Sequence, residues 1–276
     1  MVLGVLTRLA RVRVTVIYAA LLAVVTVALL VLGPDVQAVV IHHASTNLHN
    51  LSRGRLTTLL ASAFVVDAGP IYVWLPGLVC LLAVFELMYH SVRLIVAFAV
   101  GHIGATLLVA AGLTAAVEFG VLPKSVSRAD DVGMSYGAVG VLGALSAAIP
   151  RRYRAAWVVW WIGVAAAGVL VERDFTAAGH AIALVLGMLL STRFGPPACW
   201  TRARRVLLVV AMGFGFLVLA NTVPIMVVAA GLGAPCALVA GWLSAHRNSS
   251  ADASIQSERH DSGTGASSSS PGISHS

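Results

Sequence analysis

Ser135 and His180 have the residue types and the placement for nucleophilic catalysis. Each lies one or two helical turns inside an apolar segment, and both segments enter the membrane from the same predicted side. A serine hydroxyl is too weakly acidic to attack an amide unless a base takes its proton as the bond forms. An imidazole at matching depth is such a base. The rise is roughly 6 Å from Asp131 to Ser135 and roughly 9 Å from Asp174 to His180, at about 1.5 Å per residue, so the two groups can meet. No acid is placed to orient the imidazole, which makes the arrangement a dyad and not a triad.

Other polar groups offer different chemistry. Glu86 and His90 lie four apart on one helix and His102 sits in the next span, a set that fits a metal or proton pathway as well as structural pairing. His42, His43 and His49 have weak metal-ligand spacing and read as solvated surface. Cys80 and Cys236 fall in apolar segments and Cys199 in a loop, which supports neither a disulfide nor a zinc site. No metal or cofactor is expected. Trp157, Trp160 and Trp161 fit packing and the interfacial belt.

The elements that must position these groups are membrane helices. Hydrophobic residues make up 59% of the 276 and charged residues only 11%, far from a soluble domain. The net charge of +7 comes from arginines clustered beside apolar runs, not from one basic face, so nucleic acid is not an expected partner. Crossing the hydrocarbon takes about 17 to 25 apolar residues with every backbone polar group satisfied internally. Such spans are read near Val14–Leu32, Ile71–Tyr89, Leu94–Val117, Val132–Ile149, Ala155–Val171 and Ala177–Thr192. Two more follow near Val206–Val223 and Ile225–Leu243, unless Pro224 kinks one reentrant segment.

Three arginine clusters set the direction: Arg8, Arg11 and Arg13; Arg151, Arg152 and Arg154; and Arg202, Arg204 and Arg205. An inside amino terminus and six crossings put all three in the cytoplasm of a multi-pass protein of the cell membrane. The outer face receives the loop Pro34–Pro70, with short interfacial helices expected in it, the loop Glu118–Asp131, and the turn Glu172–Asp174. Leu32-Gly33-Pro34-Asp35 lacks a small-x-small cleavage site, so the first apolar segment is kept as a span and not a signal peptide. The chain divides into residues 1–33, a cytoplasmic segment and first span; 34–192, a core; 193–245, further spans; and 246–276, a Ser-rich tail expected to be disordered and cytoplasmic. There is no internal repeat.

The fourth span carries Gly133, Gly137, Gly140 and Ala144 at spacings of four, three and four, one narrow stripe with Ser135 roughly opposite. Small residues let helices approach closely in lipid, so this span is expected at the centre with neighbours on both sides. In the sixth span His180, Ala183 and Gly187 share a face expected to dock on the serine side of another helix. Gly133-Met134-Ser135-Tyr136, followed by Gly140, Gly143, Ala144 and Leu145, resembles the nucleophile pattern of the rhomboid intramembrane serine proteases. Gly179-His180 with Ala183 and Gly187 is similar to that family's histidine pattern, and the stretch from Arg55-Leu56-Thr57 to Phe85-Glu86 resembles its approach to the second span. The resemblance, over about residues 53–192, implies an all-α bundle: a rhomboid-like six-helix core plus one or two extra C-terminal helices. It further implies an outward-opening site with Ser135 as nucleophile and His180 as base, cleaving transmembrane or juxtamembrane segments of membrane-protein substrates.

The pattern also departs from the family. Where rhomboids carry a His-x-x-x-Asn-type pair that helps hold the oxyanion, this chain reads Ile71-Tyr72-Val73-Trp74-Leu75-Pro76. Losing one such donor costs on the order of 10² to 10³ in turnover. Tyr136 replaces the glycine after the serine, and Val139 stands where an aromatic usually lies beneath the histidine. A catalytically inactive rhomboid that binds membrane helices is therefore one alternative, and an ion or proton transporter using Glu86, His90 and His102 is another. Gly133-x-Ser135-x-Gly137 also matches the hydrolase elbow, but that motif needs a strand before the helix. The sequence is silent on oligomeric state.

Overall fold

The computed structural model describes residues 9–45, 57–65, 71–120, 123, 134–231 and 234–241, among which there is no strand. Helix α1 (Arg13–Leu32) continues a 3₁₀ turn at Ala10–Val12. It stops at Gly33, whose φ of 91° suits glycine. Pro34 then opens α2 (Pro34–Ala44), where a missing N–H costs nothing. Together with α3 (Thr57–Ala61) this supplies the short helices expected in the long loop. His49 and the residues from Gly54 to Leu56 lie outside the described residues, as does the tail from 242 onward.

Helix α4 (Ile71–Ala99) contains the second span and the beginning of the third, separated at His90, where φ is 68° and ψ 165°. This region is almost reserved for glycine and costs a non-glycine residue about 1–3 kcal/mol. The chain folds back there: Leu82 and Phe98, equally far from His90 along the chain, line one cavity. Hydrogen bonds clamp the turn from Ser91 Oγ to Glu86 (2.6 Å) and from Ala198 N to the Met88 carbonyl (3.2 Å). Arg93 adds a cation lying 5.9 Å above the Tyr89 ring and 5.8 Å above Phe194. The second arm runs through a π turn (Val100–Gly104) into α5 (Ala105–Glu118).

Helix α6 (Ser135–Ala144), prolonged by a 3₁₀ turn at Leu145–Ala147, is the central element, and every residue from Tyr136 to Ala144 is buried. It is shorter than the span read from sequence, which ran on to Ile149, because the chain leaves the helix at Ala148 for the turn before Pro150. Thirteen residues give about 20 Å, short of the roughly 30 Å hydrocarbon. Such a helix is too short to span the hydrocarbon, and its buried residues show that protein surrounds it. Helices α7 (Arg151–Glu172), α8 (Phe175–Ser191), α9 (Arg202–Leu219) and α10 (Val223–Gly241) complete the bundle, with α4, α8 and α9 packed against α6. Ala220 leaves helical geometry and Val223 starts a new helix, so α9 and α10 are separate elements and not one kinked segment. Among the described residues four stretches are long and apolar enough to cross a membrane, and the longest, Trp74–Glu118, doubles back at His90.

Glycine sets how closely α6 approaches its neighbours. A Cβ on Gly143 would lie 2.2 Å from the Leu184 carbonyl oxygen, and one on Gly187 would lie 2.0 Å from the Gly140 oxygen. On the other side, a Cβ on Gly140 would meet the Gly101 Cα at 2.6 Å, and Gly137 sits against the Phe98 ring. The small stripe is thus pressed between α8 and the third span, the central position expected of it. Gly143→Ala and Gly187→Ala should each destabilise the protein by about 1–3 kcal/mol or more, since backbone cannot move aside as a side chain can. Gly112→Ala and Gly213→Ala, whose Cβ atoms would meet nothing, should be neutral or stabilising. Thermal unfolding of the four variants in one detergent checks this.

Candidate functional site

Ser135 is the first residue of α6 and is half-buried; Met134 stands at the N-cap. His180 is held on α8 by a well-defined helix start, because the Asp174 carboxylate caps that helix by accepting from Ala177 N at 2.7 Å. A two-residue turn, with Arg173 left-handed at φ 55°, joins α7 to this cap. Helices α6 and α8 run parallel: Tyr136 meets Gly179, while Gly140 and Ala144 meet Gly187 further along. The serine-bearing and histidine-bearing turns therefore sit at the same end of one close helix pair.

The histidine face of α8 docks on the small stripe of α6, not on its serine side. The carbonyls and amides of Gly140 and Ala144 present the flat surface that Gly187 requires. At the mouth of the contact the Tyr136 ring stands edge-on to the His180 imidazole, with centroids 5.2 Å apart at 83°. The ring also occupies the space above Gly179, where a Cβ would come within 2.3 Å of it. The aromatic beside the histidine thus comes from the residue directly after the serine, while Val139 is simply buried. Glycine at 179 was the available signal, since only a residue lacking Cβ leaves room for that ring.

The imidazole itself is only 9% exposed, and its Nε2 is buried without a hydrogen-bond partner. Hence no hydrogen bond links Nε2 to Ser135 Oγ. An unpartnered nitrogen at such depth is uncommon in proteins and calls for a reason.

Glu86, His90 and His102 do not form one site. Glu86, 1% exposed, is fully engaged in structure. Its Oε1 accepts from Val14 N (3.1 Å) and Ser91 Oγ (2.6 Å), and its Oε2 from Thr15 N (2.9 Å) and Thr15 Oγ1 (2.7 Å). It thereby caps α1, fills its acceptor positions, and places negative charge at the positive end of that helix. His102 lies in a different cavity, its Nε2 donating to the Leu59 carbonyl at 2.9 Å with Ser62 Oγ 3.1 Å away. Among the described residues no three His, Cys, Asp or Glu side chains converge as metal ligands. His43 Nδ1 donates to its own helix at the Val39 carbonyl (2.7 Å), and Cys80, Cys199 and Cys236 are free thiols.

A bundle of apolar helices around a short central one, with serine and histidine at the same end of two parallel helices, defines a multi-pass membrane protein of rhomboid-like architecture. The profile of the rhomboid-like protein family matches residues 8–193, and the chain belongs to that family. No curated protein and no solved structure matches it. The matched span covers α1 through α8 and so includes both helices of the pair.

Because Glu86 holds the start of α1 and the turn at His90 together, Glu86→Ala should destabilise the protein by about 3 kcal/mol or more, leaving several donors unsatisfied. Glu86→Gln keeps one acceptor oxygen and should lose less. Chemical unfolding in detergent ranks the two; equal stability of Glu86→Ala and the parent would contradict the capping role.

Proposed function

We propose that this chain is an intramembrane serine endopeptidase in which Ser135 is the nucleophile and His180 the general base, cleaving transmembrane or juxtamembrane segments of other membrane proteins. The observation that carries the reading is the buried, unpartnered His180 Nε2 at the same end of the helix pair as Ser135. In the tautomer that carries its proton on Nδ1, Nε2 offers a lone pair with no competing donor, which is what a serine hydroxyl needs as it attacks a peptide carbonyl. In the first step the Ser135 Oγ–carbonyl bond forms and Nε2 takes the hydroxyl proton; the amide C–N bond then breaks as Nε2 returns that proton to the leaving nitrogen. Water, activated by the same nitrogen, hydrolyses the resulting ester.

The oxyanion needs a donor, and the missing second-span pair leaves the backbone to supply one. Ser135 is in the first turn of α6, where amides have no intrahelical acceptor and the helix dipole favours negative charge. Its N–H is the group we assign to the developing oxyanion. The short α6 favours access for water, since a helix of this length leaves part of the membrane thickness unspanned. We place the protein in the cell membrane with its arginine-rich end cytoplasmic and the Ser135/His180 end facing out.

A second reading rests on Tyr136. Its ring covers the imidazole, and Nε2 is not bonded to the serine, features that suit a non-hydrolytic relative that binds membrane helices. Cleavage of a model single-span substrate by purified protein separates the two. Ser135→Ala and His180→Ala should each lower cleavage by about 10³-fold or more, to background. Cleavage equal in parent and Ser135→Ala would refute the protease. Capture of the uncleaved substrate by crosslinking, unchanged in Ser135→Ala, would establish the binding protein instead.

A further inference from the structure

At the end of the bundle remote from Ser135, the chain forms a cavity of about 430 Å³ whose lining joins segments distant in sequence. Arg11 and Arg13 come from the start of α1, His90 and Ser91 from the turn in α4, and Arg204 from the first turn of α9. Three arginines thus line one cavity, and among the described residues the one carboxylate in that lining is Glu86. Both oxygens of Glu86 are taken by the start of α1 and by Ser91, and its one negative charge offsets only one of the three arginines, so the cavity stays cationic. Among the described residues neither Arg11 nor Arg13 pairs with an acid, while Arg204 reaches only the Cys199 carbonyl.

We propose that this cavity binds a phosphate group, and specifically the headgroup of an anionic phospholipid. Guanidinium groups bind phosphate oxygens through paired, charge-assisted hydrogen bonds, and several converging on one space recognise an anion with several acceptors. The lipid assignment comes from the surroundings. The cavity opens at the foot of α1, whose Val16, Ile17, Val24 and Val27 are exposed along the helix and offer a track for acyl chains. Val92, 69% exposed, lines the cavity rim and continues the apolar surface. A zwitterionic headgroup would bring its own cation toward the arginines, so an anionic lipid is preferred. Bound there, the headgroup would tie α1, the α4 turn and α9 together.

The test uses the full chain in detergent, with lipid retention read by native mass spectrometry. Phosphatidylglycerol should be retained over phosphatidylcholine, and added sodium chloride should weaken that retention. Arg11→Gln, Arg13→Gln and Arg204→Gln should each weaken phosphatidylglycerol binding on the order of tenfold. Arg152→Gln, at the same end but outside the cavity, should leave it unchanged. Melting curves identify any variant that fails to fold, and lysine at the same position, keeping charge without the planar fork, then replaces it with an expected intermediate loss. Inorganic phosphate at millimolar concentration separates the sources: no competition supports the lipid, and arginine-dependent displacement supports a soluble phosphate ligand of the same site. Equal retention of both lipids, or phosphatidylglycerol binding indifferent to salt and to all three substitutions, would overturn the proposal.

Discussion

The contact between α6 and α8 at Gly140, Gly143 and Gly187 is the constraint from which the rest of the site follows. Lipid provides no hydrophobic force between helices, so two membrane helices stay together through close packing. Backbone here lies against backbone, with no side chain between. That contact fixes the rotation of both helices, and the rotation decides what faces what where Ser135 and His180 lie. Tyr136 meets Gly179 and His180 because Gly140 and Ala144 meet Gly187 further along.

At the other end, charge and polar bonding do the organising. Glu86 gathers the first helix and the reversal at His90 into one junction, and the segment after α8 closes on it through Ala198 and Phe194. Arginines from α1 and α9 converge beside that junction. The two ends therefore differ: one brings serine, tyrosine and histidine together beside the Asp174 cap, and the other gathers arginines around the Glu86 junction.

Much of this was legible in sequence because it is local. Spans follow from unbroken apolar runs, and the starts and ends of α1, α7 and α8 lie within a few residues of those read from composition. The resemblance to rhomboids, carried by the runs around Ser135 and His180, agrees with the family match. The stripe on the fourth span announced a central helix, because 3.6-residue periodicity and residue size are both visible in a single segment. What escaped is non-local. Nothing near Glu86 in the chain shows that its partners are Val14 and Thr15, and no spacing rule relates Arg204 to Arg11. The sequence reading put the docking surface of α8 on the serine side of α6, an error of helix rotation that only packing resolves. It likewise read Val139 as a loss of the aromatic beside His180, when Tyr136 stands there instead.

The account turns on whether Ser135 is activated by His180. The most direct measurement is labelling of the purified full-length protein with a fluorophosphonate, with the modified residue located by peptide mass spectrometry. Label on Ser135 that disappears in a folded His180→Ala variant is the predicted result. A folded parent protein that leaves Ser135 unmodified, or labelling of Ser135 that persists undiminished without the imidazole, would contradict it.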